Sequence, residues 1–128
     1  MTRTTVPITT LSNTSVTAKP ALTAITTPAD GMRVAAAGNS DNLVVELSIT
    51  TSGSSSAAIS VAAGDNPPAF RAGIGALAYE TSGSASDARY ILTFESARHA
   101  DTSGNIDIDF AAVVTAGSAA AYRLPSGL

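Results

Sequence analysis

The sequence predicts an all-β protein: an antiparallel β-sandwich or small barrel of about seven or eight short strands with an extended N-terminal arm. Three observations carry this expectation. Short apolar runs alternate with a period of two, as half-buried strands do. Clusters of Gly, Asn, Asp, Ser and Pro separate those runs about every 8–12 residues. No run with a 3.6-residue period is long enough to make a useful helix.

Taken in order, residues 1–30 differ from the rest. They are rich in Thr, carry Pro7, Pro20 and Pro28, and hold only Arg3, Lys19 and Asp30 as charges. Proline fixes φ and lacks an N–H donor, so a long helix is excluded and strand is expected only at an edge. Thr and Val still favour extended backbone. The segment reads as an arm in which Val6, Ile8 and Val16 can add a strand to a sheet, leaving residues 31–128 as the β-sandwich domain.

After the turn signal Ala29-Asp30-Gly31, residues 32–36 form a short candidate strand. Residues 43–50 are the clearest strand, with Val45, Leu47 and Ile49 on one face and Val44, Glu46 and Ser48 on the other. The Gly/Ser-rich stretch to Ser56 is a loop, and residues 57–62 are the next strand. Gly64-Asp65-Asn66-Pro67-Pro68 is a rigid turn leading into irregular chain to Gly75. Residues 76–81 are a strand, residues 82–87 a loop, and residues 89–95 a strand with Tyr90, Leu92 and Phe94 on one face. Asp101 to Asn105 reads as a hairpin loop. Residues 106–110 then place Ile106, Ile108 and Phe110 inward, with Asp107 and Asp109 outward. Val113-Val114 extends that strand, Gly117-Ser118 reads as a break, and residues 121–124 are the last short strand.

Composition narrows the class of function. The 128 residues make one domain, not two. Charged residues are 13%, about half the usual share, while Ser and Thr together make up about a quarter of the chain. Aromatic content is 5%, so the core must come from Val, Ile, Leu and those few rings. The net charge is −3, and six of the seven basic residues are Arg, spread singly. Nucleic-acid binding therefore has no electrostatic footprint. Cysteine is absent, which excludes disulfides, thiolate metal sites and Cys nucleophiles. The first residues lack the apolar run of a secretory signal, and no segment approaches the roughly 18 apolar residues of a membrane span. A soluble protein made in a cytoplasm is expected.

Catalytic constellations find little material. General acid–base and metal chemistry need His or paired carboxylates in a cleft. The single histidine, His99, reads as a polar residue at a strand end, with Asp101 or a neighbouring chain as the alternative partners. Gly-x-Ser-x-Gly is absent, and Gly73-Ile74-Gly75 is not followed by the residues of a phosphate cradle. Asp101, Ser103, Asn105 and Asp107 superficially resemble a calcium loop, but no bidentate Glu follows at the expected distance. A turn closed by an Asx side chain is the simpler reading. Asp107 and Asp109 share a strand face; solvation is the default relief, with a cation or an Arg from elsewhere as alternatives. The expectation is no enzyme, no cofactor and no metal. Isolated Arg71, Arg98 and Arg123 suit bidentate pairing, within the chain or across an interface.

The stretch from Asp30-Gly31-Met32-Arg33-Val34 through Asn42-Leu43-Val44-Val45-Glu46-Leu47 resembles the opening of small head-decoration (capsid cement) proteins of tailed bacteriophages. Val61 to Gly73, Leu92 to Arg98, the Asp101-to-Phe110 hairpin and Ala121-Tyr122-Arg123-Leu124-Pro125 are similar too. The resemblance covers about three quarters of the chain, from about residue 30 onward, and its motifs are turns and strands rather than chemistry. It implies a homotrimer on the outside of the virion capsid, bound to the major capsid protein and stabilising its lattice, with no nucleic-acid or membrane partner. Candidate contacts with the shell or between subunits are Arg3, Val6, Ile8, Val16, Arg71, Arg98 and Arg123. The alternatives are a carbohydrate- or surface-binding β-module, and another phage or filament subunit such as a tail tube or fibre. Glycan modules usually expose aromatic platforms, and three Tyr with no Trp is poor material for one.

Overall fold

A computed structural model of the chain describes residues 2–35, 42–54, 56–64, 76–81, 88–93 and 99–125. Ten strands run through them: β1 (Thr4–Val6), β2 (Ile8–Thr10), β3 (Thr23–Ala24), β4 (Met32–Val34), β5 (Leu43–Thr51), β6 (Ala58–Val61), β7 (Leu77–Glu80), β8 (Ala88–Thr93), β9 (Ile106–Phe110) and β10 (Val114–Arg123). The first sheet has the order β1-β4-β9-β6-β7 and the second β2-β10-β5-β8, with β3 also on β10. The two sheets pack face to face as an all-β sandwich.

The sheets are mixed rather than purely antiparallel, because β1 runs parallel to β4 and β2 parallel to β10. Both parallel pairings come from one stretch of chain. It runs along an edge of the first sheet as β1, turns at Pro7, and continues along an edge of the second as β2. Proline suits the crossing, since the missing N–H falls where the chain leaves one ladder for the other. The segment expected to be an extended arm able to add a strand to a sheet contributes strands to both sheets.

The core lies between the inner faces. Met32, Leu47, Ile49, Ile59, Ile106, Ile108, Val6, Val34, Val45 and Val61 are its largest fully buried side chains. Each contributes about 1.5–3 kcal/mol relative to exposure. The alternation read in β5 and β9 holds: Val45, Leu47 and Ile49 are buried, as are Ile106 and Ile108, with Phe110 packed against them. In β8, Leu92 is buried and Tyr90 packs on the core, while Ile91 faces solvent.

The C-terminal third needs correction. Val114 does not extend β9, because a turn intervenes in which the Val114 N–H donates to the Ala111 carbonyl at 3.0 Å. Gly117-Ser118 is no break but the middle of β10, which pairs with β5 from Val114 to Arg123 across one irregularity near Thr115. Glycine keeps the neighbours uncrowded there. A Cβ on Gly117 would fall 3.1 Å from Ile25 Cδ1 and 3.3 Å from the Ser48 carbonyl oxygen. Earlier in the chain, the Ala29-Asp30-Gly31 signal is a 3₁₀ turn, Pro28–Asp30, ended by Gly31 at φ 75°. The expected turn at residues 65–68, the irregular chain to Gly75, the loop at 82–87, and Phe94 and Glu95 of the expected fifth strand lie outside the described residues.

Candidate functional site

The outer face of the first sheet carries a network of ion pairs. Register places Arg33 of β4 directly opposite Asp107 of β9. Arg33 Nε donates to Asp107 Oδ1 at 2.7 Å and Nη2 to Oδ2 at 2.9 Å, the two-pronged geometry that suits guanidinium and carboxylate. Arg3, just before β1, adds Nη1 to Asp109 Oδ1 at 2.5 Å and Nε to Asp107 Oδ2 at 3.4 Å. Asp107 and Asp109 are therefore relieved by two arginines, not by solvent alone. The Arg33 hydrogen bonds, reinforced by the charges of Arg3 and Arg33, hold the Asp107 carboxyl below its ordinary value of 3.8 against the opposing effect of burial. The same hydrogen bonds raise the Arg33 guanidinium. Gly31 makes room for this: a Cβ there would sit 2.6 Å from the Ile108 carbonyl oxygen, inside the Arg3–Asp109 contact.

The Asp101 loop uses its oxygens internally. Asp101 Oδ1 accepts from the Ser103 and Asn105 N–H groups, each at 2.9 Å, and Gly104 adopts φ 79°. Asp101 Oδ2 lies 3.5 Å from Arg33 Nη2. This is the Asx-closed turn, with Ala100 and Ile106 bridged across its base. His99 is buried, with Nδ1 3.0 Å from the Ala62 carbonyl oxygen. Among the described residues, no group of three or more His, Cys, Asp or Glu is placed to hold a metal ion.

A second cluster lies on the outer face of the other sheet, under residues 11–22. Lys19 Nζ is 3.1 Å from Glu46 Oε1, the Tyr122 hydroxyl donates to Glu46 Oε2 at 2.9 Å, and Arg89 Nη1 stands 3.9 Å from Oε1. The Lys19 hydrogen bond, then that of Tyr122, lowers the Glu46 carboxyl from its ordinary value. Burial, then Glu46, raises the Tyr122 hydroxyl. Leu11, Thr17, Ala18 and Lys19 form one wall of an open groove of about 280 Å³ that has Glu46 and Tyr122 on the other side. The loop thus straps across the sheet, tethered at Lys19.

The candidate contacts fall into distinct places. Arg3 is held by the chain's own Asp107 and Asp109. Val6 is fully buried in the core. Ile8 is half-buried against the same core and pairs opposite Ala121. Arg123 is half-buried at the end of β10, its carbonyl accepting from the Leu11 N–H at 2.9 Å. Val16 is 100% exposed and lies in no strand. Arg71 and Arg98 lie outside the described residues. Sequence reasoning missed Arg33 and Glu46, the centres of both clusters. The signal for Arg33 was an Arg in one strand and outward Asp residues in another, and it becomes legible only once their register is known.

No protein-family model, curated protein or solved structure matches the chain. The sandwich itself, two mixed sheets built from ten strands among the described residues, is what the structure establishes.

Proposed function

We propose that the chain is a structural attachment module, a decoration protein that binds the outside of an assembled phage capsid as a trimer and stabilises its lattice of major capsid subunits. One observation carries the reading. The sandwich frame presents residues 11–22 as a strap between β2 and β3; of its large apolar side chains Leu11 and Leu22 are half-buried, whereas Val16 is wholly exposed. Burying one such side chain in a partner is worth about 1.5–3 kcal/mol, and a lattice repeats that gain at every copy. The low charge and small outward side chains suit a surface covered by neighbours. Anchoring then belongs to the loop, since the strands on either side of it pair with β10 within a sandwich.

A glycan-binding reading gains nothing from the aromatics. Tyr79, Tyr90 and Tyr122 are all half-buried, with the Tyr79 hydroxyl donating to the Thr93 carbonyl at 2.8 Å and that of Tyr122 to Glu46.

The test is occupancy of assembled capsids by Val16→Asp, measured beside the parent chain. Its fold is checked by circular dichroism. Binding is expected to drop at least tenfold; undiminished occupancy by a folded Val16→Asp would refute the loop as anchor.

A further inference from the structure

The clasp formed by residues 2–10 differs from every other strand segment described. It makes the only parallel pairings among the described strands, and it sits at an edge of both sheets. It continues into the strap at residues 11–22. Of that strap, Ser12, Asn13, Thr14, Ser15 and Val16 are exposed.

Everything that holds the clasp lies far away in sequence. Val6 fills a slot in the core, and its carbonyl accepts from the Ala35 N–H at 3.1 Å. The Thr4 N–H donates to the Gly31 carbonyl at 3.3 Å and the Leu11 N–H to that of Arg123 at 2.9 Å. Arg3 docks on Asp107 and Asp109, so the segment brings a cation to a slot that displays carboxylates. None of these contacts depends on the clasp belonging to the same chain as the slot.

We infer that the clasp is exchangeable: residues 2–10 of one copy leave their own sandwich and occupy the identical slot of a second copy, linking the two. Exchange replaces every contact with its equal, so its net cost is the entropy of association and the rearranged strap. A flexible tether gives the clasp an effective concentration at its own slot on the order of millimolar. Free copies must approach that concentration to compete, which dilute protein does not and a crowded array of copies does. Arg3 and its two carboxylates set the polarity and register of the incoming segment. This inference does not rest on the capsid reading.

The chain lacks cysteine, so introduced thiols report without background. Thr9 and Tyr122 are partners in the β2–β10 register. One pool of full-length chain carries Thr9→Cys and another Tyr122→Cys. The pools are mixed, unfolded in urea, refolded at high concentration and treated with a short thiol-to-thiol cross-linker. Covalent heterodimers are expected, with a yield that rises with concentration and falls severalfold when each pool is refolded alone before mixing. The Thr9→Cys/Tyr122→Cys double variant, refolded dilute, is expected to link within single chains. Linking only within single chains at every concentration overturns the inference. So does sedimentation of the unmodified chain, refolded at millimolar concentration, as monomer throughout. A heterodimer yield unaffected by co-refolding also overturns it, because it assigns the link to a surface encounter and not to exchange.

Discussion

Strands β5 and β10 lie side by side over nearly their whole lengths, yet they are built from opposite materials. β5 sends Leu43, Val45, Leu47 and Ile49 into the core, whereas β10 sends Ala119 and Ala121 opposite Leu47 and Val45. Gly117 faces Ile49. Large side chains on one strand fill the space that small ones leave on its neighbour, so the pair packs at constant thickness. The identity of β10 as a strand is thus supplied by its partners; its own side chains bury little apolar area. A strand of this kind depends on its neighbours' shapes more than on its own propensity.

Changing size at one matched position tests that division. Leu47→Ala removes the larger member of the Leu47–Ala119 pair, and both residues are fully buried. It is expected to cost about 2–5 kcal/mol, read as a lowered urea midpoint. Ala119→Leu overpacks the same place and is expected to cost about 1–3 kcal/mol. If the two positions share one space, Leu47→Ala/Ala119→Leu recovers about 0.5–3 kcal/mol relative to the sum of the single changes. Strict additivity would show that the strands do not compensate each other.

Acid probes the outer faces rather than the core. Asp107 is held below its ordinary value, so its ion pairs stabilise the fold fully above about pH 3.8 and lose that effect as pH falls through the lowered native value. Urea midpoints are expected to fall as pH drops below that point. Asp107→Asn should remove part of the fall while lowering stability at pH 7; an unchanged acid limb in Asp107→Asn would assign it to other carboxylates, Glu46 of β5 first. The smallest effect is expected at the strap. Lys19 is 58% exposed, and Lys19→Ala should cost about 0.2–1 kcal/mol by the same denaturation. A larger loss would mean that the strap buttresses β10 as well as covering it.

The contrast between the two strands also explains what was legible in the sequence. β5 and β9 announce themselves because alternation of large apolar and polar residues is a local signal. β10 is silent: Ala-Gly-Ser-Ala-Ala-Ala has no amplitude, and glycine ordinarily marks a break. Its reason for being a strand, the facing bulk of Leu47 and Ile49, is stored elsewhere in the chain. The first thirty residues are only half legible for a related cause. Proline and threonine describe an extended chain correctly, but whether Val6 meets this core or a foreign one is decided by tertiary packing. The ion-pair network was half visible, since the outward Asp107 and Asp109 were plain while Arg3 and Arg33 reach them only through the pairing of β1, β4 and β9.

The parallel run of β2 along β10 has a mechanical meaning. The chain enters the sandwich through β1 and β2 and leaves it through β10, with β2 and β10 pointing the same way. A pull backward on β2 and forward on β10 therefore slides one strand lengthwise past the other, and their bonds carry the load together instead of opening one at a time. Tension applied to the chain before β2 and after β10 thus loads that ladder in shear, while the same tension applied across an antiparallel hairpin would unzip it.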